Sequence, residues 1–206
     1  MKLKLSLLCT ATGLALMHGA IAASLSEDDQ GFLRKAGESG MLEIKASELA
    51  VQKSQHPEVK RFAEMMIKDH TAVDKELKAL AESKGFQLPV ELDGDKRDLM
   101  EELRQLDGPK FDEEYAEEVA VDAHKDAVDL FEDAADDADD PDVKAFAAKH
   151  LPALQNHLEM GKQLKDAVDD TDRSGKRADG APAAQNDAAG SVVIPGTAAQ
   201  PAPAAR

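Results

Sequence analysis

The sequence predicts an all-α protein: four long helices packed as a bundle, with one long crossover that holds a short helix between the second and the third. Three observations carry this. Apolar residues recur at helical spacing over four stretches. Aromatic residues make up only 3% of the 206 (six Phe, one Tyr, no Trp), whereas strands draw on aromatic and β-branched side chains. Cap residues and prolines punctuate the chain where one stretch gives way to the next.

The first helix opens at Ser26, a good N-cap, with Glu27, Asp28 and Asp29 on the positive end of its dipole. It is expected to reach about Ser54. His56-Pro57 restarts the chain, because proline suits the first helical position and pushes its predecessor out of α. The second helix carries Val59, Phe62, Met66, Val73, Leu77 and Leu80 on one face, and Gly85 ends it. Residues 86–93, around Pro89, read as extended or turned, and residues 95–106 as a short helix broken by Gly108-Pro109. The third helix, 109–135, is marked by Phe111, Tyr115, Val121, Val128 and Phe131. Asp139-Asp140-Pro141 opens the fourth, expected to run to about Val168 with a bend at Pro152.

An internal echo supports the layout. Pro57-Glu58-Val59-Lys60-Arg61-Phe62-Ala63 returns as Pro141-Asp142-Val143-Lys144-Ala145-Phe146-Ala147, so the second and fourth helices share a start signal and first core contacts. Two helical hairpins related by an approximate two-fold follow. The link between them, residues 85–108, covers roughly 40 Å at standard rises, about one helix length. This arrangement is called ferritin-like.

The two ends differ from the middle. Residues 1–22 combine Lys2 and Lys4, a short apolar run and Ala20-Ile21-Ala22, the pattern of a secretory signal peptide with cleavage after Ala22. The expected location is therefore exported, periplasmic or secreted. Cleavage removes the sole cysteine, Cys9, and deepens the net charge from −16 to −18, since two lysines and no acid leave. Thiol chemistry and disulfides are then closed, and so acidic a chain is no nucleic-acid binder. Residues 24–169 form one domain with one core. Residues 170–206, rich in Ala, Pro, Gly and Asp, read as a disordered acidic tail.

Histidines stand out on the inward faces. His70 has Met66, Val73 and Leu77 at helical spacing; His124 has Val121, Val128 and Phe131; His157 has Leu154, Met160 and Leu164, with His150 one heptad earlier. On the first helix Glu43 shares a seam with Leu33, Ala36, Gly40, Ser47 and Ala50, and Glu48 is its rival. All five groups at issue, counting His150, fall about 15–25 Å from the nearest hairpin turn at 1.5 Å per residue. Neutral imidazoles and a carboxylate on rigid helices suit Fe, Mn, Zn or Cu, which makes Glu43, His70, His124 and His157 a candidate mononuclear site. The alternative is a core histidine hydrogen-bonded to Glu43 with no metal. A di-iron site would need Glu-x-x-His on two helices, and Ile67 and Leu154 stand where those acids would be.

The runs Phe32-Leu33-Arg34-Lys35-Ala36, Gly40-Met41-Leu42-Glu43, Pro57 to Ala63, Asp69-His70, Asp122-Ala123-His124, Leu151-Pro152-Ala153-Leu154 and His157-Leu158 together resemble the domain-of-unknown-function 4142 family. The resemblance spans roughly residues 30–164. It implies an exported or outer-membrane protein similar to the ferritin-like superfamily, with no established activity, and it favours Glu43 over Glu48 and His157 over His150. The chain itself has no alternating strands, no spanning helix after the signal and no lipid-anchoring cysteine.

Two functions follow. The first is an exported bundle that binds a metal for storage, sequestration or stress protection. The second is a metal-free interaction or structural protein of the cell envelope, with a partner held through the tail. Catalysis is not expected, because no nucleophile elbow, phosphate loop or His-Glu-x-x-His is present.

Overall fold

The computed structural model describes residues 24–179, and the side chains of residues 24–171. Six α-helices and a π segment follow in order: α1 (Glu27–Lys53), α2 (Pro57–Ser83), α3 (Gly94–Gln105), α4 (Pro109–Glu114), the π segment (Tyr115–Ala123), α5 (His124–Asp137) and α6 (Pro141–Asp179). The expected third helix is thus one rod of three pieces, α4, the π segment and α5. Its middle is wound in the wider π form, which the sequence reading did not anticipate.

The caps act as their residue types dictate. Ser26 Oγ accepts from Asp29 N at 3.1 Å and Asp93 Oδ1 from Lys96 N at 3.0 Å, closing the first turns of α1 and α3. Pro57, Pro109 and Pro141 each begin a helix. Gly85 and Gly108 take positive φ values of 69° and 59° where chain direction changes.

α1 packs on α2, the α4–π–α5 rod packs on α6, and the two hairpins meet as α1 against α5 and α2 against α6. Polar contacts tie both ends. At one end Lys84 Nζ reaches Asp140 at 2.7 Å and Asp142 at 2.6 Å, and Asp29 Oδ2 accepts from Asp140 N at 3.0 Å. At the other, Lys53 Nζ donates to Arg104 O at 2.6 Å and His56 pairs with Thr171 at 3.3 Å. The α2–α4 connection therefore starts at one end and finishes at the other, and α3 lies along α1 on the way. This is a four-helix bundle with one long crossover, as expected.

α6 does not stop near Val168. It continues to Asp179 and runs through Pro152. A packed helix needs no new nucleus to grow, so a polar sequence with little periodicity still extends it. Residues 170–179 of the expected tail are thus helical; the remainder of the tail and the signal segment lie outside the described residues.

The core has two halves. One gathers Leu42, Phe62, Met66, Tyr115, Val119 and Leu164; the other gathers Phe32, Leu33, Leu77, Phe131, Phe146 and Leu154. The echoed residues Val59, Phe62 and Ala63 are buried in one half, and Val143, Phe146 and Ala147 in the other. Between the halves, at mid-height, lies a layer of buried polar side chains.

Candidate metal centre

That layer is Glu43 from α1, His70 from α2, His124 at the head of α5 and His157 from α6, only 1%, 4%, 0% and 5% exposed. The rings of His70 and His124 lie 5.3 Å apart, those of His70 and His157 5.3 Å, and those of His124 and His157 5.7 Å. One ring nitrogen from each histidine falls within 4.8 Å of the other two. The structure thus brings together all four residues singled out in the sequence.

Their orientation follows from what each ring holds on its outer side. His70 Nδ1 donates to Glu43 Oε2 at 2.8 Å, His124 Nδ1 to the carbonyl of Val119 at 2.9 Å, and His157 Nε2 to Asp69 Oδ2 at 3.3 Å. Carbonyl and carboxylate oxygens only accept, so each partner fixes a proton on the nitrogen it faces. The other nitrogen of each neutral ring carries a lone pair. Those nitrogens, His70 Nε2, His124 Nε2 and His157 Nδ1, are buried without a partner, as is Glu43 Oε1. An unpaired buried polar atom costs about 1–3 kcal/mol, so this layer is costly unless something binds in it.

Glu43 stands behind His70 and is not one of the three converging donors. Glu48 is exposed. His150 faces away from the cluster, with Nε2 on Glu76 Oε2 at 3.1 Å and its ring on Phe146 at 4.6 Å.

Burial pushes the His157 ring down to about 4, helped by the charges of His70 and His124, and burial likewise lowers His124. Burial opposes the charged forms of Glu43 and His70 too, but each offsets this for the other: Glu43 is held below the usual carboxylate range and His70 above the usual imidazole range. The signs set the pH response of the metal-free chain. A lowered His157 contributes stability above pH 6.5 that is lost as pH falls toward 4; Glu43 acts in the same direction at lower pH, and His70 opposes. The His157 share amounts to at most roughly 3 kcal/mol. Melting temperature is expected to fall between pH 6.5 and 4, and less steeply in His157→Gln, when followed by circular dichroism.

Four features of the centre and its surroundings were not read from the sequence. Asp69 entered the sequence reading only in the Asp69-His70 run, and the fold is what places it on His157. The Val119 carbonyl, five residues before His124, serves as a side-chain acceptor within a stretch of π winding; such winding concentrates at functional sites. Gly161, one turn after His157, lets α6 approach the π segment so closely that a Cβ there would sit 1.9 Å from the Ala120 oxygen. Tyr115, read only as an apolar mark, also bonds Ser47 Oγ through its hydroxyl at 2.8 Å.

The donor set fits a metal ion. Metal-ligating histidines characteristically give their second N–H to a carboxylate or backbone carbonyl, and all three do so here. Neutral nitrogen donors suit Cu, Zn, Ni or Fe and do not suit Ca or Mg.

Fold and centre together define a four-helix protein with a long crossover and a buried three-histidine layer. The chain belongs to the family described as Domain of unknown function (DUF4142), whose model matches residues 15–164. Among solved structures it is similar to a DUF305 fragment from Deinococcus radiodurans, with 11% identity, a TM-score of 0.61, and 69% of this chain and 98% of that chain covered. It is also similar to CopM in the Cu(II)-bound form (19% identity, TM-score 0.53) and in the Ag-bound form (22%, 0.54), each covering 68% of this chain and 96% of that one. At these identities the likeness is one of fold. No curated protein matches the chain. Among the described residues, no helix is long and apolar enough to cross a membrane.

Proposed function

We propose that this protein is an exported metal-binding bundle in which His70 Nε2, His124 Nε2 and His157 Nδ1 hold one transition-metal ion. Glu43, Asp69 and the Val119 carbonyl orient the rings from outside. The observation that carries this reading is the shared pattern of the histidines: each is tied through one nitrogen to an acceptor-only oxygen, the other nitrogen of each is buried without a partner, and the three rings come close enough for one nitrogen of each to lie within 4.8 Å of the other two. The Glu43 carboxylate supplies negative charge beside the bound cation. Of the metals the sequence suggested, a set of three neutral nitrogens favours Cu or Zn over Mn, and the Cu(II)- and Ag-bound forms of a protein of the same fold support copper. The centre is closed by core on both sides, which fits holding an ion for sequestration or storage better than turning over a substrate. Export rests on the signal-like segment 1–22.

The test is metal analysis of the protein purified from its own host without chelator. One copper or zinc ion per chain is expected. A metal-free protein that captures an envelope partner, and loses it on truncation after Asp179, would support the interaction reading instead. In titrations, Glu43→Gln is expected to keep the one-ion stoichiometry and lose about 10–100-fold in affinity, as outer partners of metal ligands do.

A further inference from the structure

A cavity of about 20 Å³, room for one water or one bare ion, opens beside the centre between α1, α2 and α5. Glu43 and His70 line its inner wall, and Ser39, Gly40 and Asp74 are among its other lining groups. Three features set it apart from a packing void. The 99%-buried Glu43 leaves Oε1 without a partner. A Cβ built on Gly40 would meet nothing within 4 Å, whereas one on Gly37, a turn earlier, would touch Leu88, Pro89 and Leu77. Asp74 lies one turn from His70 on the same face of α2; its carboxylate is partly exposed and held by the exposed Lys78 Nζ through Oδ2 at 2.6 Å, a surface cation that an incoming ion can displace.

We infer that the cleft over Gly40 is the port through which the metal ion reaches the histidines, with Asp74 and then Glu43 Oε1 as oxygen ligands on the way. This rests on the metal-binding reading above and adds its route. A cation crossing the bundle wall loses water and needs compensating oxygens; the cleft offers a carboxylate that faces solvent and another that is buried. The missing side chain at position 40 keeps the passage open. An ion at Glu43 competes with the His70 N–H for that carboxylate, which releases the ring and opens the way to its far side.

The experiment is stopped-flow uptake of Cu(II) by the mature chain, comparing wild type with Gly40→Ala, Gly40→Val and Gly40→Leu, and with Gly31→Leu as a control on the same helix. Gly31 also has open space at its Cβ but does not line the cleft. Uptake is expected to slow in order of side-chain size, by at least about ten-fold in Gly40→Leu, with equilibrium affinity and stoichiometry unchanged and Gly31→Leu at the wild-type rate. Equal rates across the Gly40 series, while all variants load, overturn the port and leave the metal reading intact. Failure of wild type to load overturns both.

Discussion

Replacing His124 with leucine is expected to weaken metal binding at least about 100-fold, since loss of a direct ligand should cost no less than the loss of an outer partner. The same change is expected to leave the melting temperature of the metal-free chain nearly unchanged. His124 is fully buried and holds one polar atom with no partner; an apolar side chain of similar size removes that cost and fills the layer between the core halves, which offsets the loss of the Nδ1 bond to the Val119 carbonyl. A residue kept for packing alone would show neither the affinity loss nor the neutral stability. The double variant His70→Ala/His124→Ala is expected to lose binding altogether. It also strands the Glu43 carboxylate in the core, at a cost of about 3–5 kcal/mol. Calorimetric titration with Cu(II) and Zn(II) beside thermal melts separates the two effects.

The second large effect is expected at Gly161. Alanine there would place its Cβ 1.9 Å from the Ala120 oxygen and 2.6 Å from the Ala120 carbonyl carbon. Backbone cannot rotate away as a side-chain end can, so α6 must move off the π segment. Destabilisation of about 3 kcal/mol or more is expected, the upper range for overpacking. Because His157 lies one turn before Gly161 and His124 directly follows the π segment, the same displacement separates two of the three donors. Affinity for metal is therefore expected to fall together with stability. The d–d spectrum of a Co(II)-loaded sample should shift, which a loss of stability alone would not cause.

Much of this was legible in the sequence, for identifiable reasons. Ser26, Pro57, Pro109 and Pro141 mark helix starts because the local chemistry of caps and of proline nitrogen acts irrespective of the fold. Helical spacing placed His70, His124 and His157 inward, while Glu48 remained a rival of Glu43 on spacing alone, and the family resemblance favoured Glu43. What escaped depends on contacts between distant segments. Nothing local in residues 115–123 distinguishes π from α winding, and the close approach of Gly161 to Ala120 is a property of the packed pair. Glu43 was read as a ligand because inward carboxylates commonly are; its position behind His70 is fixed by the register of α1 on α2. The end of α6 was placed too early because apolar periodicity measures burial, and a helix outlasts its buried face.

The central claim is that three imidazole nitrogens share one ion. X-ray absorption at the metal edge of the copper-loaded chain tests it most directly. The expected spectrum has nitrogen scatterers at about 2.0 Å, close to metal–histidine distances in general, with the outer-shell signature of three imidazole rings that falls to two in His124→Leu. A shell of oxygen alone, unchanged by His124→Leu, would place the metal on the acidic surface and contradict the account.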